Sequence, residues 1–191
     1  VPDAERALSV AASTVWAHPS FYLEVVGITG TNGKTTTAWL VEHAMRALGM
    51  HPAMIGTVTH RFGDRTWPAL HTTPEGDDLA RRMAAMKHAG AEHLVMEVSS
   101  HALSLRRVAA VRFRVGVLTN VTQDHLDFHR SMESYREAKR SLFRAHGPAS
   151  MVLNADDAVG ASLLDEFPDA VGYSARGLDS AAFRVSDAHL S

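Results

Sequence analysis

Residues 25–40 read VVGITGTNGKTTTAWL, and this stretch decides the fold class. An apolar, partly β-branched segment leads into two glycines, and a Gly-Lys-Thr-Thr run then opens a segment that can continue as a helix. The strict phosphate-binding pattern G-x-x-x-x-G-K-[ST] would place its first glycine at Ile28, whereas the nearby glycines are Gly27 and Gly30. The stretch is therefore either a glycine-rich turn with a solvated lysine or a phosphate-binding loop of a variant class.

Phosphate binding is the interpretation that the chemistry of this loop favours. A strand leads in and a helix leads out, so the helix N-terminus offers unpaired N–H groups and a partial positive charge to an anion. Gly30 and Gly33 allow the backbone to approach an anion closely. Lys34 can reach the terminal phosphates, and the hydroxyl of Thr35 can ligate Mg²⁺. We therefore predict a phosphate site at residues 30–36.

The composition of the whole chain excludes several classes of function. The 191 residues, 46% hydrophobic and 21% charged, suit one globular α/β domain or at most two small ones. A formal net charge of -2 gives no support for a nucleic-acid or membrane-surface partner, and no apolar run approaches the roughly 20 residues that span a bilayer. Cysteine is absent, which excludes disulfides and thiolate zinc sites and is compatible with a reducing compartment. We expect a cytoplasmic protein.

Short apolar segments alternate with amphipathic segments along the chain. Strands are predicted at 22–28, 53–58, 93–98, 115–121, 150–154 and 170–174, and helices at 3–17, 34–48, 74–90, 131–146 and 156–166. A hairpin or loop with a Gly-Asp turn is expected within 59–70, and residues 181–191 alternate as an edge strand or the start of a second hairpin would. Strands separated by helices imply an α/β fold with a mostly parallel sheet, in which ligands bind at the carboxyl ends of the strands.

An acidic residue, Glu97, ends the predicted strand 93–98. A carboxylate at the end of an apolar strand beside a phosphate-binding loop is the usual place for a second Mg²⁺ contact. The alternative is a carboxylate that caps the next turn. The position at a strand end favours the metal contact.

Polar residues crowd the segment TNVTQDHLDFH, which begins at the end of the predicted strand 115–121. His125 and His129 are four residues apart, as two zinc ligands on a helix would be. Because the H-E-x-x-H pattern is absent and the segment is predicted to be a loop, we do not expect a dedicated zinc site. His125 as a Mg²⁺ or substrate contact and His125 hydrogen-bonded to a neighbouring aspartate both stay open.

Lys139 falls among apolar positions of the predicted helix 131–146. Taken alone, this spacing indicates a surface lysine whose alkyl chain covers apolar neighbours.

The motif HTTP at 71–74 places two threonine hydroxyls at the start of the predicted helix 74–90. These hydroxyls are either a cap or a cap that also binds an anionic ligand.

Six motifs in this order resemble those of the Mur ligases: GTNGKTT, HTTP, MEVSSHAL, NVTQDHLDFH, YREAK and LNADD. They are most similar to the members that add the third amino acid of the peptidoglycan stem peptide. The family's loop is T-G-T-N-G-K-[ST], which lacks the first glycine of the strict pattern and so accounts for Ile28. The fold that the resemblance implies is the P-loop ATPase-type central domain of these enzymes.

The resemblance implies ATP and Mg²⁺ as cofactors and assigns roles to residues of this chain. The residues that match the nucleotide-binding positions are Gly30, Thr31, Asn32, Gly33, Lys34, Thr35, Thr36 and Asn154. Those that match the metal ligands are Thr35, Glu97, His125 and Lys139. Lys34, His125 and Lys139 are the implied catalytic residues, with Lys34 on the γ-phosphate. Lys139 matches a lysine that the family carbamylates, which reverses the interpretation of Lys139 as a surface residue.

The implied substrates are a UDP-muramoyl-dipeptide and a diamino acid. The residues that match contacts to the dipeptide substrate are His71, Thr72, Thr73, Ser99 and Arg107. Two positions depart from the family pattern: Leu105 stands where some members have glutamine, and Arg130 stands where glycine is often found. One polar substrate contact is therefore expected to be missing, and the loop at Arg130 is expected to differ.

The chain begins at Val1 rather than methionine, and we interpret it as a fragment. The resemblance implies that residues 1–20 are a linker helix from a missing N-terminal domain. Residues 21–191 would be a central ATP-binding domain that is incomplete at its C-terminal end. The amino acid that is added, whether lysine, meso-diaminopimelate or ornithine, would be selected in the missing C-terminal domain.

The activity implied by the resemblance is an ATP-dependent amide ligase. It would add a diamino acid to UDP-N-acetylmuramoyl-L-alanyl-D-glutamate through an acyl phosphate. A folylpolyglutamate synthetase-like ligase is the alternative within the same ATPase class, although HTTP and SSHAL would be absent from it. A P-loop GTPase would need the N-K-x-D motif, which the chain lacks. The chain alone is expected to be a nucleotide-binding module without ligase activity.

Overall fold

The computed structural model describes residues 3–124 and 126–186, and within them a nine-stranded sheet forms the centre of the molecule. Its strands are β1 Glu24–Thr29, β2 Pro52–Ile55, β3 His60–Phe62, β4 Arg65–Trp67, β5 His93–Glu97, β6 Val115–Leu118, β7 Ser150–Asn154, β8 Val171–Ser174 and β9 Phe183–Arg184. They are ordered β4-β3-β2-β5-β1-β6-β7-β8-β9. The β2–β3 and β3–β4 pairs are antiparallel and the other described pairs are parallel. The predicted α/β class with a mostly parallel sheet is confirmed.

Helices connect most of the parallel strands, as right-handed crossovers require. They are α1 Ala4–Val15, α2 Lys34–Ala47, α3 Gly76–His88, α4 Ser100–Ser104, α5 Leu126–His129, α6 Met132–Arg144 and α7 Ala158–Glu166, with a single 3₁₀ turn at Pro19–Phe21. Helix α1 packs on α3, where Gly76 faces Ser9 so closely that a Cβ at Gly76 would overlap the serine. Among the described residues, no helix is long and apolar enough to cross a membrane.

The sheet is buried on both faces because alternate residues of its central strands enter two different apolar clusters. In β1, Val25 belongs to the larger cluster, whereas Val26 and Ile28 belong to a smaller one that packs against α2. In β5, Leu94 enters the larger cluster and Val95 the smaller one. This two-sided burial explains why these strands are continuous apolar runs rather than alternating ones.

The hairpin predicted at 59–70 is present as β3 and β4, with its turn at Gly63-Asp64. Gly63 has a φ of 56°, the left-handed conformation that a tight hairpin turn requires. Of the tail, Phe183–Arg184 pairs in parallel with β8, so the edge-strand interpretation is right and the second hairpin is wrong over the described part. Residues 187–191 lie outside the described residues.

Two local predictions were wrong, and one short helix was missed. Pro74 and Thr73 precede α3 rather than opening it, because the N-cap is Glu75, which has an extended backbone. The segment predicted to be a loop after β6 contains the short helix α5, which a four-residue apolar pattern is too short to indicate. Helix α4 was not predicted, although Ser99 caps it by accepting a hydrogen bond from the Ala102 N–H.

Candidate active site

The sheet order brings the carboxyl ends of four strands together. β1 lies between β5 and β6, and β2 lies on the far side of β5. The segments that leave these ends begin at Gly30, Gly56, Val98 and Thr119. The predicted phosphate loop is thus flanked by the polar strand ends that the sequence identified.

The loop between β1 and α2 is closed tightly by the end of β6. Gly30 has a φ of 154°, and a Cβ there would overlap Thr119 Oγ1 and lie 3.1 Å from the Asn120 nitrogen. Thr119 Oγ1 donates to Asn32 O at 2.6 Å, and the Asn120 side chain binds Asn32 N at 3.0 Å and Asn32 O at 3.1 Å. Gly33, with a φ of 84°, is the N-cap of α2 and has no side chain to satisfy the first N–H groups. The predicted anion-binding geometry is therefore present.

Thr31 ties this loop to a second region of the chain. Its side chain is buried, and Oγ1 lies 2.9 Å from the Tyr135 hydroxyl of α6. The same oxygen lies 3.1 Å from Thr122 O and accepts the Thr122 N–H at 3.0 Å. The loop and α6 are thereby held in a fixed relation, which determines where α6 places Lys139.

Lys34 folds over the loop that precedes it. Its Nζ donates to Gly30 O and to Thr31 O, each at 2.9 Å. Burial lowers the pKa of Lys34 from its ordinary value, while the negative charges of Glu97 and Asp124 act in the opposite direction. The lysine is positioned at the mouth of the helix N-terminus, where an incoming phosphate can replace the two carbonyl acceptors.

Lys139 of α6 points into the same loop. Its side chain is 1% exposed, and its Nζ donates to Gly30 O at 2.8 Å and lies 4.5 Å from the centre of the Tyr135 ring. Burial, and secondarily the positive charge of Lys34, lower the pKa of Lys139 to about 7. The interpretation of Lys139 as a surface lysine, drawn from helical spacing alone, is wrong.

Glu97 is fully buried, and its carboxylate faces the start of α2. Oε2 accepts from the Thr35 hydroxyl at 2.9 Å, and Oε1 accepts from the Thr57 N–H at 2.8 Å. The Thr57 hydroxyl also donates to Oε2, at 3.0 Å. Because Ser99 rather than Glu97 caps the following helix, the interpretation of Glu97 as a turn cap is wrong.

Thr57 is the site residue that the sequence reasoning missed. The predicted strand 53–58 ran through it, whereas β2 ends at Ile55 and the chain turns so that Thr57 faces Glu97. The preceding Gly56 would place a Cβ 2.5 Å from Glu97 Oε1. A glycine followed by threonine at the carboxyl end of a buried strand was the signal that could have identified this position.

The structure brings together two of the four predicted metal ligands by direct contact, Thr35 and Glu97. Lys139 contacts the same loop at Gly30 O, and His125 lies outside the described residues. Within the described ranges, no group of three or more histidine or acidic side chains could hold a metal ion. The pairing of a hydroxyl with a buried carboxylate suits Mg²⁺, and Lys139 can add an oxygen ligand only as a carbamate.

The predicted substrate residues of HTTP are tied to the end of β5. Thr73, which is fully buried, donates from Oγ1 to Glu97 O at 2.8 Å and accepts the Ser99 N–H at 3.1 Å. Arg107 donates to Thr73 O at 3.2 Å and forms an ion pair with Glu75. Neither threonine of the motif caps α3, so the cap interpretation is wrong.

The two other residues of this group face outward. Thr72 Oγ1 lies 3.1 Å from the hydroxyl of Thr57, and His71 is exposed. All five predicted substrate residues therefore lie in one region, between the end of β5 and the start of α3. A contact of these residues with a substrate stays a prediction.

Asn154, the remaining predicted nucleotide contact, ends β7. Its Nδ2 donates to Thr119 O at 2.7 Å, and its Oδ1 accepts the Asp156 N–H at 2.9 Å. The residue thus holds together the ends of β6 and β7 beside the loop. Its contact with a nucleotide stays a prediction.

A family model described as the Mur ligase middle domain matches residues 28–190. The chain belongs to this family. Curated relatives include a protein of Geobacter metallireducens that is 51% identical over 173 residues, which are 87% of this chain and 34% of the relative. A protein of Prochlorococcus marinus is 45% identical over 183 residues, which are 94% of this chain and 36% of the relative. Both are named UDP-N-acetylmuramoyl-L-alanyl-D-glutamate--2,6-diaminopimelate ligase.

This Mur ligase middle domain spans about a third of the length of those relatives. A solved structure titled as a UDP-N-acetylmuramoyl-L-alanyl-D-glutamate--2,6-diaminopimelate ligase matches 98% of the chain and 39% of its own, with a TM-score of 0.84 and 25% identity. A folylpolyglutamate synthase of Mycobacterium tuberculosis matches 91% of the chain and 47% of its own, with a TM-score of 0.66. That second likeness, at 20% identity, shows a shared fold alone. The family resemblance drawn from the six motifs is confirmed.

One predicted departure from the Mur ligase pattern has a structural consequence. Arg130, which stands where glycine is often found, has a φ of 62°. The backbone thus adopts the left-handed conformation that glycine tolerates more easily than arginine does. The arginine therefore adopts a strained backbone at this position, and a difference of the loop from that of other family members stays a prediction.

Proposed function

We propose that this chain is the ATP-binding domain of an ATP-dependent amide ligase of peptidoglycan precursor synthesis. The observation that carries the proposal is the convergence of Lys34 and Lys139 on one carbonyl of the phosphate loop, with the buried Glu97 carboxylate at the adjacent helix start. Together these groups supply both positive charge for a phosphoryl group and oxygen ligands for a cation. A merely structural loop has no need of this combination.

The nucleotide in this proposal is ATP, bound by the N–H groups of residues 30–36 at the start of α2. Lys34 would leave its carbonyl acceptors and bind the γ-phosphate, because an ammonium gains more from a charged phosphate oxygen than from a neutral carbonyl. Asn154 would contact the nucleotide from the end of β7. The bound phosphates are thereby held rigidly beside Glu97, as phosphoryl transfer requires.

The chemistry proposed is transfer of the γ-phosphoryl group to the D-glutamyl carboxylate of UDP-N-acetylmuramoyl-L-alanyl-D-glutamate. ADP leaves and an acyl phosphate forms. The amine of a diamino acid then attacks the acyl carbon, so that an amide bond forms, a proton is released and inorganic phosphate departs. The names of the two relatives support diaminopimelate as that amino acid.

Mg²⁺, when bound, would neutralise charge on the transferring phosphoryl group. The residues of this chain that would hold it are Thr35, Glu97, His125 and a carboxylated Lys139. Lys139 suits this role because it is buried beside the loop, where an unmodified ammonium would repel the metal rather than bind it. Modification by CO₂ would replace that positive charge with two oxygen ligands.

The UDP-linked substrate would contact His71, Thr72, Thr73, Ser99 and Arg107. Flanking N- and C-terminal domains of the same enzyme would complete the sites for the uridine nucleotide and the incoming amine, since this chain spans about a third of its relatives. The reaction would take place in the cytoplasm, because ATP and UDP-linked precursors are cytoplasmic nucleotides. Without the other domains, the chain would bind ATP and form no amide.

The test compares the 191-residue chain with the full-length enzyme that contains it. Calorimetry should detect Mg-ATP binding to both, and amide formation from the UDP-linked dipeptide should be found with the full-length enzyme alone. Diaminopimelate, lysine and ornithine are offered separately, with turnover expected for diaminopimelate. Failure to consume the UDP-linked dipeptide, together with addition of glutamate to a folate, would instead support the folylpolyglutamate synthetase-like alternative.

A further inference from the structure

Two parts of the site that the proposed function treats separately are joined by a chain of hydrogen bonds. One part is the Thr35–Glu97 pair, which would hold Mg²⁺, and the other is the HTTP loop, which would bind the UDP-linked substrate. Thr57 Oγ1 lies 3.0 Å from Glu97 Oε2 and 3.1 Å from Thr72 Oγ1. Thr57 itself belongs to neither of the two predicted groups.

The Thr57 hydroxyl is the donor in both contacts, to Glu97 Oε2 and to Thr72 Oγ1. A hydroxyl carries one proton to donate, so the two oxygens are alternative acceptors of the same proton. A movement of Thr72 away from Thr57 would therefore leave this proton to Glu97.

The surroundings of Thr57 show that the position is specialised. Gly56 leaves room for the carboxylate, because a Cβ there would lie 2.5 Å from Glu97 Oε1. The Thr57 N–H binds Oε1 while its hydroxyl binds Oε2, so both oxygens of the carboxylate are oriented by one residue. The Thr57 residue is nevertheless exposed, and its hydroxyl also reaches Thr72, so the position borders the region predicted to bind the substrate.

A second connection reinforces the first. Thr73, the neighbour of Thr72, donates to the backbone oxygen of Glu97 at 2.8 Å and is fully buried. Two successive residues of the HTTP loop are thus connected to the same glutamate, one to its backbone and one through Thr57 to its carboxylate. A displacement of the loop by a substrate would be transmitted to the carboxylate.

We propose that Thr57 is a positioning residue that couples substrate binding at the HTTP loop to metal binding at Glu97. This inference rests on the proposed function of the site. In it, Thr57 acts through Glu97 and Thr72 and does not touch the reacting atoms. Loss of the hydroxyl would leave Glu97 Oε2 with the Thr35 hydroxyl alone and would separate the two halves of the site.

The experiment uses the full-length enzyme with Thr57→Val, Thr57→Ser and, as a matched control, Thr59→Val. Thr59 lies in the same turn, but its hydroxyl binds His60 O at 3.4 Å rather than Glu97. Mg²⁺-dependent binding of ATP is measured by calorimetry, without turnover, and ligase turnover is measured against Mg²⁺ and against the UDP-linked dipeptide. Because a hydrogen bond to a charged group is lost, Thr57→Val should raise the Mg²⁺ concentration for half-maximal rate by about tenfold. It should also raise KM for the dipeptide severalfold, whereas Thr57→Ser and Thr59→Val should behave as the unmodified enzyme does.

A second variant tests the link itself. Thr72→Val should lower the Mg²⁺ requirement although Thr72 does not touch Glu97, because the Thr57 proton then serves Glu97 alone, and it should have no effect when Thr57→Val is already present. This measurement still decides the matter if Thr57→Val does not fold. A normal Mg²⁺ requirement in Thr72→Val, or additive effects in the double variant, would overturn the coupling. Failure of the proposed function can be distinguished from failure of this coupling, because the unmodified enzyme would then form no amide.

Discussion

Lys34 and Lys139 donate to the same backbone oxygen, the carbonyl of Gly30, at 2.9 Å and 2.8 Å. Two ammonium groups on one acceptor repel each other, and both are partly or fully withdrawn from water. Burial lowers the pKa of each lysine, and the positive charge of Lys34 lowers that of Lys139 further, to about 7. Near neutral pH the Lys139 amine is therefore divided between its charged and neutral forms, and the neutral form is the one that can react with CO₂.

Carboxylation of Lys139 is the first expectation. In bicarbonate buffer at pH 8, the amine is largely neutral, since its pKa is about 7, and should form a carbamate. Carbon-13 NMR with labelled bicarbonate should show one protein carbamate signal, which Lys139→Met should remove. Lys87→Met, which removes a lysine that lies over the Tyr22 ring, should retain the signal. A signal that persists in Lys139→Met would assign the modification elsewhere.

Stability without CO₂ should depend on pH through the same amine. The folded chain releases the Lys139 proton above a pKa of about 7, whereas the unfolded chain retains it up to the ordinary value of 10.5. Between these values the unfolded state binds more protons, so the free energy of unfolding should rise with pH, by up to about 1.4 kcal/mol per pH unit.

Urea unfolding of the chain at pH 7, 8 and 9 in CO₂-free buffer measures this dependence. Lys139→Met removes the group, so the difference between the two proteins isolates its contribution from that of every other titrating residue. The unmodified chain should gain stability relative to the variant as the pH rises. A constant difference over this range would mean that the pKa of Lys139 is not lowered.

Lys34→Met should abolish turnover of the full-length enzyme while leaving the fold intact. The lysine is expected to compensate charge on the phosphoryl group in the transition state, an effect typically on the order of 10²–10³ in kcat. Because a positive neighbour is removed, the pKa of Lys139 should also rise. Steady-state kinetics and circular dichroism provide the two measurements, with Lys87→Met as the control. Normal turnover in Lys34→Met would refute the role of this residue.

The parts of the site that could be predicted are those where a local pattern has one physical meaning. The strand, glycine-rich turn and helix at residues 25–40 were predicted correctly because a glycine pair and Gly-Lys-Thr after an apolar segment leave few other structures open. The position of Glu97 beside this turn was predicted correctly because the carboxyl ends of parallel strands meet at one edge of the sheet. Both predictions depend on local patterns of residues that are close together in the sequence.

The parts that could not be predicted depend on contacts between distant residues. Lys139 is buried because α6 is held against the loop through the contact of Tyr135 with Thr31, which are 104 positions apart. The helical spacing of Lys139 is the same whether its face meets water or the loop. Thr57 was missed for a related reason, since the length of β2 is set by its pairing with β5 rather than by its own apolar residues.

Gly30→Ala should eliminate ATP binding by the chain. An added Cβ would overlap Thr119 Oγ1 and crowd the Asn120 backbone, and the φ of 154° is unfavourable for alanine, so the loop must move. Gly63→Ala is the matched control, because Gly63 also has a positive φ but a Cβ there meets nothing within 4 Å. Calorimetric titration with Mg-ATP should detect binding by the control and none by Gly30→Ala. Equal binding by both variants would contradict the assigned role of the loop.

Arg130→Gly should stabilise the chain, which is the reverse of the usual effect of introducing glycine. The left-handed conformation at Arg130, with a φ of 62°, costs an arginine about 1–2 kcal/mol, and glycine avoids this strain. Glycine in turn loses about 0.5–1 kcal/mol of conformational entropy on folding, so the net gain should be roughly 0.5–1 kcal/mol. Arg136→Gly, inside α6, should instead destabilise the chain by about 1 kcal/mol. Urea unfolding of the two variants should thus give shifts of opposite sign, and a loss of stability in both would show that the backbone at Arg130 is not strained.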